Sequence, residues 1–264
     1  MTRAVDASSF LGQWPFRPSW LAQAEALVAA AREQGIAACL VAPTAALLVD
    51  DPSAANAALC RVAERWPELR PVAMWNPSMP NAAAVVSAAA ESGAAAVKLA
   101  PNYHRYELDP VALGPALDAL ERSGLVACIQ LRVEDRRQAR LLCPDVAIDA
   151  ALSFAQARPA IRWMLCGART NELHAAAERV DAAGNVWLGL SNADGLACLE
   201  ALAGTVRPDR LLFATHMPFF YPQAARFKLV ESDLAADVRE ALLWRNACEL
   251  FGLDVAPQEG GRDG

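Results

Sequence analysis

The chain lacks a CxxC pair, and its seven cysteines are scattered and odd in number. That excludes a zinc knuckle and argues against a disulfide framework; free, mostly buried thiols in a reducing cytoplasm are the expectation. No run rich in lysine and arginine occurs in a chain of net charge −6, so nucleic acid is not an expected partner. Apolar stretches break well short of membrane-spanning length, and the N-terminus runs into a strand-like segment without the pattern of a secretory signal. The expectation is a cytoplasmic protein without a membrane partner. No GxGxxG follows the first strand-like segment and no P-loop occurs anywhere, which argues against a nucleotide-binding sheet. Histidine is scarce, three residues in 264, so imidazole chemistry has only His104, His174 and His216 to draw on.

What is present is a large apolar inventory, 55% hydrophobic against 20% charged, enough for one sizeable core. Eight short apolar runs recur at 4–10, 36–43, 70–77, 94–101, 125–132, 161–168, 185–191 and 210–218. Continuous apolar runs mark strands buried on both faces. Between them lie amphipathic segments. Trp20, Ala24, Leu27, Val28 and Ala31 share one helical face. Over 109–124, Asp109 suits an N-cap, Pro110 the first helical position and Gly124 the terminus. A last helix is expected over 233–250. Strict strand–helix alternation predicts a parallel sheet, and eight units in this length predict a single (β/α)8 TIM barrel over 1–254, with a charged, glycine-rich flexible tail over 255–264.

In such a barrel the chemistry lies at the C-terminal ends of the strands. Those ends carry Asp6, Ser8 and Ser9; Lys98, followed by Asn102, Tyr103 and His104; Gln130 and Arg132; Cys166; Ser191 and Asn192; and Thr215 and His216. Trp14, Phe16, Tyr106, Phe219, Phe220 and Tyr221 lie in the loops that follow, and suit either a pocket for a small cyclic ligand or packing of the loops onto the barrel.

Four stretches carry a family resemblance. The opening strand reads Asp6-Ala7-Ser8-Ser9-Phe10-Leu11-Gly12, the fourth Val97-Lys98-Leu99, and the eighth Leu212-Phe213-Ala214-Thr215-His216-Met217-Pro218; the last helix holds Asn246-Ala247-Cys248-Glu249-Leu250-Phe251. In order and spacing these resemble the amidohydrolase superfamily, in the branch that includes metal-dependent hydrolases, decarboxylases and lactonases. Its members open with D-x-H-x-H-x-G and close with a strand like L-F-G-S-D-x-P. The departures are at the metal ligands. The family's first histidines fall on Ser8 and Phe10, its later ones near Gln130 and Cys166, and its eighth-strand aspartate on His216. Phenylalanine cannot bind a metal, and serine and glutamine are poor transition-metal ligands. The chain is therefore read as a divergent member without the HxH motif. No cofactor is expected; a divalent ion such as zinc, weakly held through Cys166, His216 and a carboxylate, is the lesser alternative.

On this reading His216 is the acid/base, oriented by Asp6, with Lys98 the third catalytic group. Ser8, Trp14, Tyr103, His104, Gln130, Arg132 and Asn192 are the expected substrate contacts, Arg132 as a carboxylate fork. Bland readings stand beside these. A loop histidine such as His104 is as often solvated, His174 sits on a surface-helix pattern, Cys166 is an ordinary buried thiol, and Glu134–Arg137 is a solvated charge run. The expected function is a hydrolase or C–C lyase acting on a small anionic or cyclic acid, lactone or amide without a metal. The alternative is a barrel that kept its pocket as a ligand-binding or scaffold protein and lost catalysis. A homo-oligomer is a fold-level expectation.

Overall fold

We describe the computed structural model over residues 3–255, apart from 136, 138 and 142. The eight strands are β1 (Ala4–Leu11), β2 (Ile36–Pro43), β3 (Leu69–Met74), β4 (Ala96–Leu99), β5 (Val126–Gln130), β6 (Trp163–Cys166), β7 (Val186–Gly189) and β8 (Leu211–Leu212). They pair in parallel in the order of the sequence. Helices alternate with them: α1 (Ala24–Glu33), α2 (Ser53–Ala63), α3 (Ala82–Glu91), α4 (Pro101–His104), α5 (Gly114–Ser123), α6 (Ile148–Gln156), α7 (Thr170–Ala183), α8 (Cys198–Ala203) and α9 (Pro222–Glu231). The final stretch is α10 (Ala236–Glu240), a π-helical turn (Ala241–Arg245) and α11 (Asn246–Phe251). The architecture is a single (β/α)8 barrel. The tail expected over 255–264 lies, apart from Val255, outside the described residues.

All eight strands fall within or beside the apolar runs read from the sequence, because a strand covered by helices outside and by the bore inside needs apolar residues on both faces. Alternate residues face the bore, among them Ala38, Leu40 and Ala42 of β2, Val72 and Met74 of β3, Cys128 of β5 and Met164 and Cys166 of β6. Their neighbours Cys39, Val41, Ala73, Ile129 and Leu165 pack under the helices. Small residues make room for large ones in the bore. A Cβ at Gly189 would stand 2.7 Å from the Met164 Cε.

The eighth strand is much shorter than the run at 210–218. Beyond Leu212 the chain leaves the ladder and is held by single main-chain bonds. Ala7 N–H donates to the Phe213 carbonyl (2.9 Å), His216 N–H to that of Ser8 (2.9 Å) and Phe10 N–H to that of Met217 (2.6 Å). These close the seam with β1. On the other side, Phe213 N–H donates to Leu242 in the π-helical turn.

The helices depart from expectation at their starts. Trp20 is exposed in a 3-10 turn before α1 rather than on its buried face, while Leu27, Val28 and Ala31 are buried. Asp109 accepts from the Val111 and Ala112 amides in a turn, and α5 begins only at Gly114. Gly124 ends α5 with φ +69°, as its position suggested.

Asn246, in the resemblance-bearing motif of the last helix, has a structural task. Its side-chain amide donates to the Pro208 (2.7 Å) and Leu211 (2.8 Å) carbonyls, tying α11 to the entry of β8. Replacing it with alanine strands two carbonyls beside the core. Asn246→Ala should lower the urea unfolding free energy by about 1–3 kcal/mol; an unchanged midpoint and slope would remove this role.

Candidate functional site

The C-terminal mouth gathers Ser8, Lys98, Gln130, Cys166 and His216 within a layer that solvent barely reaches. What places them is a bulge in β1. Asp6 pairs with Cys39 and Ser9 with Val41, so three steps on β1 match two on β2. Val5 and Ala7 belong to the bore cluster, which puts Asp6 on the opposite pleat, at the seam with the segment after β8. The bulge then lets Ser8 turn inward as well, and its hydroxyl accepts from the Lys98 ammonium at 2.8 Å.

Asp6 therefore does not orient His216. Its Oδ1 accepts from the amides of Ser8 (3.1 Å) and Thr215 (2.9 Å), and its Oδ2 from the hydroxyls of Ser9 and Thr215. Burial raises the carboxyl pKa, and these four bonds oppose the rise. The expected Asp6–His216 dyad is replaced by a seam clamp.

His216 is held instead by the main chain of the β5 loop. Its Nε2 lies 2.6 Å from the Val133 carbonyl. A carbonyl can only accept, so Nε2 carries the proton and Nδ1 presents a lone pair. Nδ1 is buried and finds no hydrogen-bond partner among the described residues. The ring is boxed by Phe10 edge-on (5.5 Å between centroids), Phe219 (5.4 Å) and Phe220 (5.1 Å). Burial lowers its pKa to about 4, with the Val133 bond opposing and the Lys98 charge adding to the fall. The backbone at His216 is left-handed, φ +62°.

Lys98 is the other central group. Besides Ser8 it meets the face of Phe10, 4.4 Å from the ring centroid, a cation–π contact. Cys166 lies near it on β6. The Cys128 thiol bonds Cys166 and lowers its pKa, aided by Lys98 and Ser8 and opposed by burial, while Cys128 is pushed up. Gln130 donates to the Arg132 carbonyl (2.6 Å), and its own Oε1 is buried without a partner.

Arg132 does form a bidentate carboxylate fork, but the carboxylate is the protein's own. Glu172 of α7 accepts two bonds at 2.7 and 2.6 Å, Asp145 lies 3.2 Å away, and the Gly167 carbonyl accepts a further bond. The guanidinium thus clasps the β5 and β6 loops to α7. His104 is likewise buried and anchored, Nε2 to the Ala46 carbonyl at 2.9 Å. His174 sits at the surface beside Thr205, as its helix pattern suggested.

The aromatic set divides. Trp14 packs edge-on against Tyr103, Phe219 and Phe16, and with Phe219 is buried over the mouth. Phe16 and Tyr221 reach the surface. Beside this cap opens a cavity of about 1060 Å³ lined by Arg17, Arg169, Ser191, Asn192, Thr215, Phe219 and Phe220, among others. Of the expected contacts it brings in Asn192 and Arg132. Trp14 and Tyr103 belong to the cap, and Ser8, Lys98 and Gln130 to the sealed layer beneath. Sequence reasoning passed over Arg17 and Arg169, and named Thr215 at the end of the eighth run without giving it a role. The reading of Glu134–Arg137 as a solvated charge run fails at Glu134, whose carboxyl is buried.

The match to known proteins agrees with this frame. The family model described as amidohydrolase matches residues 45–253. No curated protein matches the sequence. A 2,6-dihydroxybenzoate decarboxylase complexed with 2,6-dihydroxybenzoate superposes with a TM-score of 0.76 at 16% identity, covering 96% of this chain and 100% of that one. A dihydroxybenzoic acid decarboxylase from Polaromonas sp. JS666, with bound manganese and the inhibitor 2-nitroresorcinol, gives 0.73 at 16%, covering 97% and 98%. A 5-carboxyvanillate decarboxylase from Sphingomonas paucimobilis gives 0.67 at 15%, covering 86% and 82%. At these identities the likeness shows a shared fold.

A divalent ion of the kind the Polaromonas protein holds does not fit the residues of this mouth. Among the described residues no three His, Cys, Asp or Glu side chains converge. Asp6 is occupied by four donors, and an ammonium already stands between Ser8 and Phe10.

The buried neutral imidazole gives a stability signature. An unfolded histidine has a pKa near 6.5, so between about 6.5 and 4 the unfolded chain takes up the proton that folded His216 refuses. Its contribution is complete above about 6.5 and is lost as pH falls through that window, about 3 kcal/mol in all. Urea unfolding at pH 7 and pH 4 should show wild type losing about 3 kcal/mol more than His216→Gln. Equal losses would mean that the imidazole is not held neutral.

Proposed function

The chain belongs to the amidohydrolase family, and from that premise we propose that it is a metal-independent hydrolase or C–C lyase acting on a small organic acid or lactone. The observation that carries this reading is His216. It is a neutral imidazole of fixed tautomer, with an unpartnered Nδ1, behind the Phe219 and Phe220 side of a large cavity at the C-terminal mouth.

The substrate lies in that cavity. Arg17 and Arg169 attract its anionic group, Ser191 and Asn192 offer hydrogen bonds, and Phe219 and Phe220 take an apolar or aromatic ring. Small aromatic acids of the kind bound by the dihydroxybenzoate decarboxylases are the first compounds this lining suits. His216 accepts a proton at Nδ1, and Nε2–H stays on Val133, so the imidazolium that forms is already hydrogen-bonded on one side. Lys98 raises the positive potential behind it and favours developing negative charge, while itself held by Ser8 and Phe10. Without a metal, activation rests on general acid–base catalysis, worth about 10²–10⁴-fold. That favours lactones and activated carboxylates over unactivated amides.

One set of observations favours the second reading, a binding barrel without turnover. Asp6, Lys98 and Arg132 all have partners within the protein, and the layer that holds His216 is sealed from solvent.

A panel of hydroxybenzoates, unsaturated dicarboxylates and lactones, assayed with and without chelator, separates the two. Turnover should survive chelation and fall by about 10²–10⁴-fold in His216→Ala. Protein exposed to manganese or zinc and then desalted should hold far less than one equivalent by elemental analysis. Saturable binding of panel members with no turnover at any pH would establish the binding barrel. Stoichiometric metal would overturn the metal-free reading.

A further inference from the structure

A smaller cavity of about 250 Å³, also lined by Arg132, lies between the loops that follow β4 and β5. One wall is Glu134. It is 7% exposed, and neither carboxyl oxygen finds a hydrogen-bond partner among the described residues. A carboxylate taken out of water without a partner costs several kcal/mol, and a loop residue could avoid that by turning to solvent.

None of the described residues that line the cavity hydrogen-bonds it. Arg132 lines the same space, but Glu172 and Asp145 hold its guanidinium. The Asn102 amide donates to the Pro144 carbonyl. The Trp14 indole N–H stands near the carboxyl without completing a bond, and is itself buried and unpartnered. Burial raises the Glu134 pKa, against the pull of Trp14 and Arg17. The cavity also has an aromatic wall in Tyr103, packed against Trp14, and an apolar end in Val133 and Leu141.

From this geometry we propose that Glu134 anchors a subsite for a small protonated primary amine, with the ammonium on the carboxylate and the Tyr103 ring and the hydrocarbon against Val133 and Leu141. An ammonium supplies donors to the two unbonded carboxyl oxygens, and an aromatic face beside it adds cation–π attraction. At about 30 Å³ per small non-hydrogen group, the space holds roughly eight such atoms. The assignment stands apart from the proposed chemistry at His216, since binding an amine requires no turnover.

The test is calorimetric titration of the intact protein at pH 7.5 with benzylammonium and n-butylammonium chloride, beside 1-butanol and butyrate. The ammonium ions should bind saturably, and the neutral and anionic isosteres at least tenfold more weakly. Glu134→Gln, with its unfolding midpoint and circular dichroism compared with wild type, should weaken ammonium binding at least tenfold. A crystal of wild-type protein soaked in benzylammonium should place the nitrogen on Glu134, which keeps the question decidable if the variant does not fold. No saturable binding, equal binding by Glu134→Gln, equal binding of butyrate, or a crystal with only water between Glu134 and Trp14 would each overturn the subsite. A negative result here leaves the His216 reading to its own assay.

Discussion

The seam between β1 and the segment after β8 depends on the buried carboxylate of Asp6. β8 contributes a ladder of only two residues, so the last side of the barrel cannot be closed by regular pairing. Asp6 accepts from two main-chain amides and two hydroxyls, and thereby fixes Ser8, Ser9 and Thr215 in one arrangement. Thr215 in turn accepts from the Met217 amide through its hydroxyl, so the clamp reaches across His216 from both sides. The left-handed backbone at His216, normally unfavourable for a residue with a side chain, persists because its neighbours are pinned. A charge deep in the fold thus serves geometry, and the imidazole takes its orientation from a carbonyl on another loop.

The rest of the mouth follows from where that seam puts Ser8 and Phe10. Both face the bore, and Lys98 fills the space between a hydroxyl and an aromatic face. The ammonium depresses the affinity of His216 for a proton and favours the ionised form of Cys166. Arg132 is drawn the other way, into the Glu172 and Asp145 carboxylates, and lines both cavities.

The strands were legible because a buried parallel strand leaves a clear trace: the runs at 36–43 and 126–129 are apolar without interruption. Gly124 marked the end of α5, but Pro110 did not mark its start: Asp109 caps a turn and the helix begins only at Gly114. Asp6 misled for a definite reason. Strict alternation puts Asp6, Ser8 and Phe10 on one face, and a bulge has no reliable mark in a single sequence. Arg132 was legible as a fork but not its partner, since Glu172 lies forty residues away on a helix. Glu134 was masked by the charges after it, yet it continues the spacing of Gln130 and Arg132 by twos, and that period was the available signal. His104 could not be decided in advance, because its anchor is a main-chain carbonyl.

The socket around Lys98 constrains the sequences near this one. Ser8, Phe10 and Lys98 are mutually dependent: removing the hydroxyl or the ring leaves a buried ammonium with half its partners, and removing the ammonium leaves a polar hollow beneath Phe10. A histidine introduced alone at position 8 or 10 would meet a fixed positive charge rather than complete a cation-binding set. A single substitution at any of the three therefore strands a buried group, so the identities at positions 8, 10 and 98 are coupled through one ammonium.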